Sequence, residues 1–275
     1  MDRVHGWVYL VTGASSGIGR DVSRALAREG AIVYGGARHL PEAYEAGAGV
    51  VRPLVLDVTD EAAVEAAVAR ILAEAGRIDG LINCAGSGIA GAMEDCSGEE
   101  ALAQLDVNTV GPLRTARAVL PHMRKAGRGV IINIGSIGGD FALPFQGLYS
   151  MSKAALRKET ECLRLELRPY GVQAAVIEPG DLKTGFTAAR RLSAATSGSV
   201  YEAACRRAVA QMARDEQGGK DPACVTNMVL KLLKKRRLPG VKAVGGIYRV
   251  FPFLNRILPS RAVEAILSKM YHVAG

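Results

Sequence analysis

The chain has 275 residues, enough for a self-sufficient hydrophobic core and within the upper range of single domains. Hydrophobic residues make up 49% and charged residues 23%, which excludes a disordered chain, and no apolar run approaches the ~18 residues of a membrane-spanning helix. The formal charge of +8 sits in one segment, since residues 231–275 hold ten Lys or Arg against a single acid, Glu264; with no basic face and aromatics at 5%, nucleic-acid binding is excluded.

In chain order, Val8–Thr12 reads as a strand, followed by a glycine-rich turn and a helix over Ile18–Glu29. The apolar burst Val8–Val11 follows only Asp2 and Arg3 and is too short for a signal-peptide core. Ala31–Tyr34 and Val51–Asp57 are the next strands, and Thr59 starts a helix that runs to about Ala75. Leu81–Cys84 is the fourth strand. Ser97 and Glu100 fit a capping box that opens a helical region to about Lys125, with a break expected near Gly111–Pro112. Val130–Gly135, a long helix over Ser150–Leu167 and Val172–Ile177 complete the regular part. Residues 185–219 carry no strand signal, Asp221–Pro222 caps a further helix, and Val241–Val244 is a seventh strand before an apolar, basic tail over 247–271.

Val- and Ile-rich strands separated by amphipathic helices predict an α/β chain. About seven strands form a doubly wound, parallel Rossmann sheet with helices on both faces, and residues 1–275 form one domain. Within it, 185–220 is read as a lid over the substrate and 236–275 as a C-terminal extension. Five cysteines (Cys84, Cys96, Cys162, Cys205, Cys224) form no CxxC pair, which argues against a disulfide framework and for a reducing, cytoplasmic location. The four histidines lack metal-ligand spacing, so no metal is expected.

Gly13, Gly17 and Gly19 form GxxxGxG between a strand and a helix, with Ser15, Ser16 and Ile18 between them. Such a turn lets the backbone approach a pyrophosphate and aims free amides at it. Two other patterns compete. Gly13–Gly17 also satisfies GxSxG, the elbow of a hydrolase, but that elbow would fall on the first strand, and the glycines explain the turn without a nucleophile. Gly86–Gly91 matches GxGxxG, yet no helix opens behind it, so it is read as a loop.

TGASSGIG (12–19), LDVTD (56–60), INCAG (82–86), LDVNTVG (105–111), INIGS (132–136), YSMSK (149–153) and EPGDLKT (178–184) occur in this order. Together they resemble the short-chain dehydrogenase/reductase family over roughly residues 7–185. The resemblance implies hydride transfer between a nicotinamide cofactor and an alcohol or ketone, without metal. It also implies cofactor contacts at Asp57 and Val58 around the adenine, at Asn83, Ala85 and Gly86, and at Pro179, Gly180, Leu182 and Thr184. Asn108 would shape its helix and hold a water that links the lysine to solvent. Cys84 departs from the family, which usually has a second Asn there near the cofactor ribose; it is read as a tolerated variant and not a redox switch.

The residues support the same chemistry. Tyr149 and Lys153, at i and i+4, share one helix face, and Ser136 follows a strand at the carboxyl end of the sheet. A phenol titrates near ~10, so acid/base work at neutral pH asks for roughly 4 kcal/mol of added phenolate stabilisation. The Lys153 ammonium, which also reaches the cofactor ribose in the family, and an oxidised nicotinamide are expected to supply it. Asn108, Ser136, Tyr149 and Lys153 are therefore the catalytic candidates.

No acid stands between Glu29 and Glu42 to hold the ribose hydroxyls of NAD, whereas Arg38 can clamp a 2′-phosphate. NADP(H) is the expected cofactor. The Phe141–Phe145 segment, with Leu143 and Phe145, and Phe186 after the sixth strand are expected to contact a lipophilic substrate. Together with the long C-terminal extension they point to the hydroxysteroid (17β-type) and retinol dehydrogenase branch. The alternatives are a reductase of acyl-chain or small carbonyl compounds and a non-catalytic NADP-binding regulator. The resemblance further implies a homodimer or homotetramer, packed through helices at 97–125 and 150–168. The tail is read as packing on the body in preference to lying on a membrane surface, because Pro252 and Pro259 cut it into short pieces, and its apolar residues, Leu254, Leu258, Val263, Ile266 and Leu267 among them, are expected to form one wall or gate of a lipophilic pocket.

Overall fold

Val8–Thr12 (β1) is buried at every position, which is why its sequence is a continuous apolar run and not an alternating one. The computed structural model describes residues 2–40 and 42–273. From β1 the chain passes into α1 (Gly17–Arg28) and β2 (Ile32–Ala37). A short β3 (Tyr44–Ala46) turns back into β4 (Gly49–Val55). Asp60 caps α2 (Glu61–Ala75) by accepting from the Ala62 and Ala63 amides. Then come β5 (Gly80–Asn83), the two-residue β6 (Ile89–Ala90), α3 (Gly98–Leu105) and α4 (Gly111–Lys125), with the Ser97/Glu100 capping box formed at the head of α3. β7 (Gly129–Ile134), α5 (Gly147–Glu166) and β8 (Val172–Pro179) follow. The last part holds α6 (Phe186–Ala189), β9 (Arg191–Leu192), α7 (Glu202–Gly218), α8 (Ala223–Leu233), β10 (Val241–Val244), α9 (Phe251–Ile257) and α10 (Ser260–Met270).

Eight strands make one sheet in the order β10-β8-β7-β5-β1-β2-β4-β3, parallel throughout except for β3 on β4. On one face α1 and α8 contribute Val22, Leu26, Val225, Val229 and Leu232 to a core. On the other α2, α4 and α5 contribute Val64, Val68, Val119, Met123 and Leu163. This is the doubly wound Rossmann arrangement. Strand order reverses at β1, with β2 on one side and β5 on the other, so Thr12 lies between Gly36 and Asn83 in register. A crevice opens there at the carboxyl ends of the strands.

Three local expectations change. An eighth, antiparallel edge strand appears because Gly47, at φ +58°, allows the tight return from β3 to β4. The helix does not break at Gly111–Pro112. A π-turn over Asp106–Val110 is inserted instead, and Pro112 follows it in the first turn of α4. The 185–219 segment does supply a strand, β9, which pairs in parallel with β6 and places Ile89 opposite Arg191. Two residues are too few for periodicity to reveal. Among the described residues, no helix is long and apolar enough to cross a membrane.

Candidate active site

The glycine turn is built by close approach. Gly13 has φ +68°, and a Cβ there would lie 2.8 Å from the Ala85 amide nitrogen. Its neighbour Thr12 accepts through Oγ1 from the Cys84 and Ala85 amides, both at 3.1 Å, which locks β1 to the end of β5. A Cβ on Gly19 would lie 2.3 Å from the Gly13 carbonyl, so helix and turn pack without a side chain between them. Gly17, at φ +49°, faces open space that a side chain would fill. Ser15 and Ser16 are exposed, Ser16 does not cap α1 with its hydroxyl, and no acid lies in the first turn of that helix. Free amides, two free hydroxyls and the positive end of a helix dipole suit a pyrophosphate. Ile18, beyond this turn, lines the main cavity described below.

At the adenine end of the crevice, Arg38 stands exposed directly after β2. Its charge reaches Asp57, whose carboxyl is held below the usual range chiefly by the Thr59 amide at 2.9 Å. The Thr59 hydroxyl and the charges of Arg38 and Arg114 add to this against the opposing effect of burial. Val58 is buried, and its carbonyl accepts from Arg114 at 3.2 Å. Asn83 does not face the crevice. Its side chain donates to Asn133 Oδ1 and accepts from Thr115, both at 2.9 Å, because β5 turns that residue into the polar seam beneath the sheet. Any part it takes in holding a cofactor is through its neighbours Ala85 and Gly86.

The proton-handling groups converge at the carboxyl ends of β7 and β8. Ser136 follows β7, and its hydroxyl accepts from the Gly138 amide at 3.0 Å. A Cβ on Gly138 would lie 3.3 Å from both Ser136 Oγ and the Tyr149 ring, so the two side chains flank one point. Lys153, one turn along α5 from Tyr149, donates from Nζ to the Ile134 carbonyl at 2.9 Å and lies 5.8 Å from the centre of the Tyr149 ring. Burial pushes this ammonium down to about 8. Burial also pushes the Tyr149 phenol up, and the neighbouring Ser136 hydroxyl offsets this only in part. The lowering expected from the lysine is not seen in the protein alone, where burial leads, and Tyr149 is held as a neutral acid.

Asn108 sits fully buried in the π-turn. Its Oδ1 accepts from the Ser87 amide at 2.9 Å, and its Nδ2 donates to the Ser87 carbonyl and to Ser152 Oγ, both at 3.0 Å. It does not line the cavity. It ties the loop after β5 to α5 and so positions the turn that carries Tyr149 and Lys153.

These groups open into a cavity of about 300 Å³. Leu143 and Phe186 line it as expected, the Phe186 ring lying 5.5 Å from that of Tyr149. Phe145 does not. Its backbone takes a left-handed conformation, φ 59°, that sends its carbonyl to the Gly91 amide, and its ring packs behind the wall on the cluster of Ala208, Met212 and Tyr271. Pro179, Gly180 and Leu182 form one side, and Thr184 lines both this cavity and the adjoining cleft over Ser16 and Gly17. Cys84 lines it too, with burial pushing its thiol up to about 12, which leaves an inert neutral group.

The far wall is supplied by the C-terminal tail, as its apolar residues led us to expect, with Met270 in addition. Leu254, Leu258, Val263, Leu267 and Met270 come from α9, α10 and the turn between them, and Asn255 pins α9 to the Asp140 carbonyl at 2.7 Å. Asp181 and Glu216 also line the cavity and were not anticipated. Among the described residues no group of His, Cys, Asp or Glu could hold a metal ion.

The chain is similar to known proteins over most of its length. The family model for short chain dehydrogenases matches residues 7–195. A 3-ketodihydrosphingosine reductase from Bacteroides thetaiotaomicron is 38% identical over 268 residues, 97% of this chain and 98% of that one. Human 17-beta-hydroxysteroid dehydrogenase type 1 is 41% identical over 192 residues, 65% of this chain and 58% of that one. The crystal structure of a short chain dehydrogenase from Burkholderia cenocepacia in complex with NADP matches with a TM-score of 0.77 at 28% identity, over 97% of this chain and 99% of that one.

Proposed function

Because this chain belongs to the short-chain dehydrogenase family, we propose that it is an NADPH-dependent reductase of long-chain aliphatic ketones. The observation that carries this reading is the cavity wall. Its far side is supplied by α9, α10 and the turn between them, and it is mainly aliphatic, at Leu254, Leu258, Val263, Ile266, Leu267 and Met270, with Phe251, Asn255 and Tyr271 beside them. The similarity to the ketodihydrosphingosine reductase runs over 97% of the chain and so takes in those helices, whereas the similarity to the human hydroxysteroid enzyme covers 65%. The hydroxysteroid substrate expected from the motifs therefore becomes the second reading.

The cofactor would lie across the glycine turn with its phosphates on the α1 amides and the Ser15 and Ser16 hydroxyls. Arg38, exposed and without a partner among the described residues, would take the 2′-phosphate that distinguishes NADPH. When bound, the nicotinamide supplies the hydride to the carbonyl carbon. Ser136 holds the carbonyl oxygen by donating its hydroxyl proton into a hydrogen bond, and Tyr149 Oη gives that oxygen the proton that completes the alcohol. Burial serves this direction, since it keeps Tyr149 protonated until the substrate needs it. The phenolate left behind is stabilised by the Lys153 ammonium in the same pocket.

A panel of a long-chain 3-ketone and a 17-ketosteroid, followed by loss of NADPH absorbance, tests the reading. The long-chain ketone should have a kcat/KM at least about tenfold higher, a difference that the burial of two further methylenes would supply. A preference for the steroid would reverse it.

A further inference from the structure

Three charged side chains line the cavity: Lys153, Glu216 and Asp181. Lys153 is spent on the Ile134 carbonyl and the reacting end. Glu216 is paired with the Arg190 guanidinium and accepts from the Thr187 hydroxyl at 2.5 Å. Asp181 differs. It follows Gly180 directly at the end of β8, and its carboxylate accepts from the neutral Tyr248 hydroxyl, with no cation paired to it among the described residues. Asp215 and Glu216 stand close enough to add to the negative field, and burial with those two acids pushes the Asp181 carboxyl up. Asp215 is itself half-satisfied, with Oδ1 accepting from Gln211 at 2.8 Å and Oδ2 buried without a partner. Three carboxylates against the single guanidinium of Arg190 leave this end of an otherwise apolar cavity anionic.

A half-buried carboxylate facing an apolar wall is costly unless a cation comes to it. Lys153, the cation elsewhere on the wall, is held by the Ile134 carbonyl and is not paired with Asp181. The ligand that completes this cavity is therefore amphiphilic, with an alkyl chain for the α9–α10 side and a positive charge for Asp181.

We propose that Asp181 is a specificity-determining residue that binds a protonated amine carried by the substrate beside its ketone. The proposal deepens the long-chain ketone reading and rests on it. Tyr248 then has a defined part as well, since its hydroxyl orients one carboxylate oxygen and leaves the other for the ammonium.

Two long-chain 3-ketones that differ only in an amine at carbon 2 provide the test. The wild-type enzyme should prefer the amino ketone by about tenfold or more in kcat/KM, and Asp181→Asn should bring that ratio close to one while Asp181→Glu restores part of it. Inhibition of the wild-type enzyme gives a reading that no folding defect can imitate: a long-chain primary amine should inhibit at least about tenfold more tightly than the alcohol of equal length. Equal use of both ketones, equal inhibition by amine and alcohol, or an unchanged ratio in Asp181→Asn would overturn the role of Asp181 while leaving the long-chain reading intact. If the wild type reduced neither ketone but did reduce a steroid, the long-chain reading itself would fall and the amine site with it.

Discussion

Arg38 is the side chain on which the proposed preference for NADPH rests. It is exposed after β2, with no acid beside it on that strand, so it offers a guanidinium to a phosphate and nothing to a pair of ribose hydroxyls. Arg38→Asp should lower kcat/KM for NADPH by about a hundredfold and raise that for NADH, as loss of a charge-assisted pair and gain of a hydroxyl acceptor require. Steady-state kinetics with both cofactors checks it, and a wild-type preference for NADH would refute the assignment outright. Glu159 on α5 makes a different prediction. Both its oxygens are buried without partners among the described residues, and burial pushes its carboxyl from 4.5 up to about 8. The folded protein then keeps a proton that the unfolded chain has released. The stability tied to that proton is complete below the unfolded value and is lost as pH rises towards the folded one. Glu159→Gln removes that loss, so its melting temperature relative to wild type should become more favourable between about pH 5 and about pH 8. A difference that stayed constant across the range would show that Glu159 is already ionised in the fold.

Helices α9 and α10 are the elements on which the choice of substrate depends. Leu267 on α10 packs with Tyr271 and Met270 and faces the cavity. Leu267→Asp should raise KM for a long-chain ketone by about tenfold or more, the effect of replacing apolar contact with a carboxylate, while the dissociation constant for NADPH stays within about twofold. Kinetics together with a fluorescence titration of NADPH would separate the two; equal damage to both would mean that α10 supports the fold and not the substrate. The element scale also marks where sequence was readable. β1, β5, β7 and β8 are buried on both faces, and their apolar runs betray them directly. The i, i+4 pair of Tyr149 and Lys153 placed itself on one helix face for the same reason, that local geometry alone settles it. Asn83 and Phe145 were misplaced because nothing local separates a strand-end Asn facing the cofactor from one bonded beneath the sheet, or a cavity Phe from one turned away by a left-handed backbone. The π-turn that carries Asn108 has no periodicity of its own, and β9 is two residues long.

Across the whole molecule, the parallel sheet sets the carboxyl ends of β1, β5, β7 and β8 side by side, so that the nucleotide turn, Ser136 and the Pro179–Gly180 corner face one crevice. The chain beyond β8 then folds back over that crevice and closes its apolar end. The basic residues that dominate the composition beyond residue 230 are mostly turned outwards. Lys234 pairs with Glu29 at 3.0 Å, and the backbone carbonyls of Lys235 and Arg236 hold Arg3. The excess charge is thus a surface property of the covering segment, while the chemistry depends on the near-neutral body beneath it. In the proposed reaction this crevice passes a hydride to a long-chain ketone while Tyr149 supplies the proton. The most direct test of that reaction is to incubate the protein with a long-chain 3-ketone and NADPH deuterated at the transferable position, and to analyse the product by mass spectrometry. The product should be an alcohol with one deuterium on the carbinol carbon, formed at least about a hundredfold more slowly by Tyr149→Phe although that variant still binds NADPH. An alcohol without deuterium, or a Tyr149→Phe variant that turns over at the wild-type rate, would contradict it.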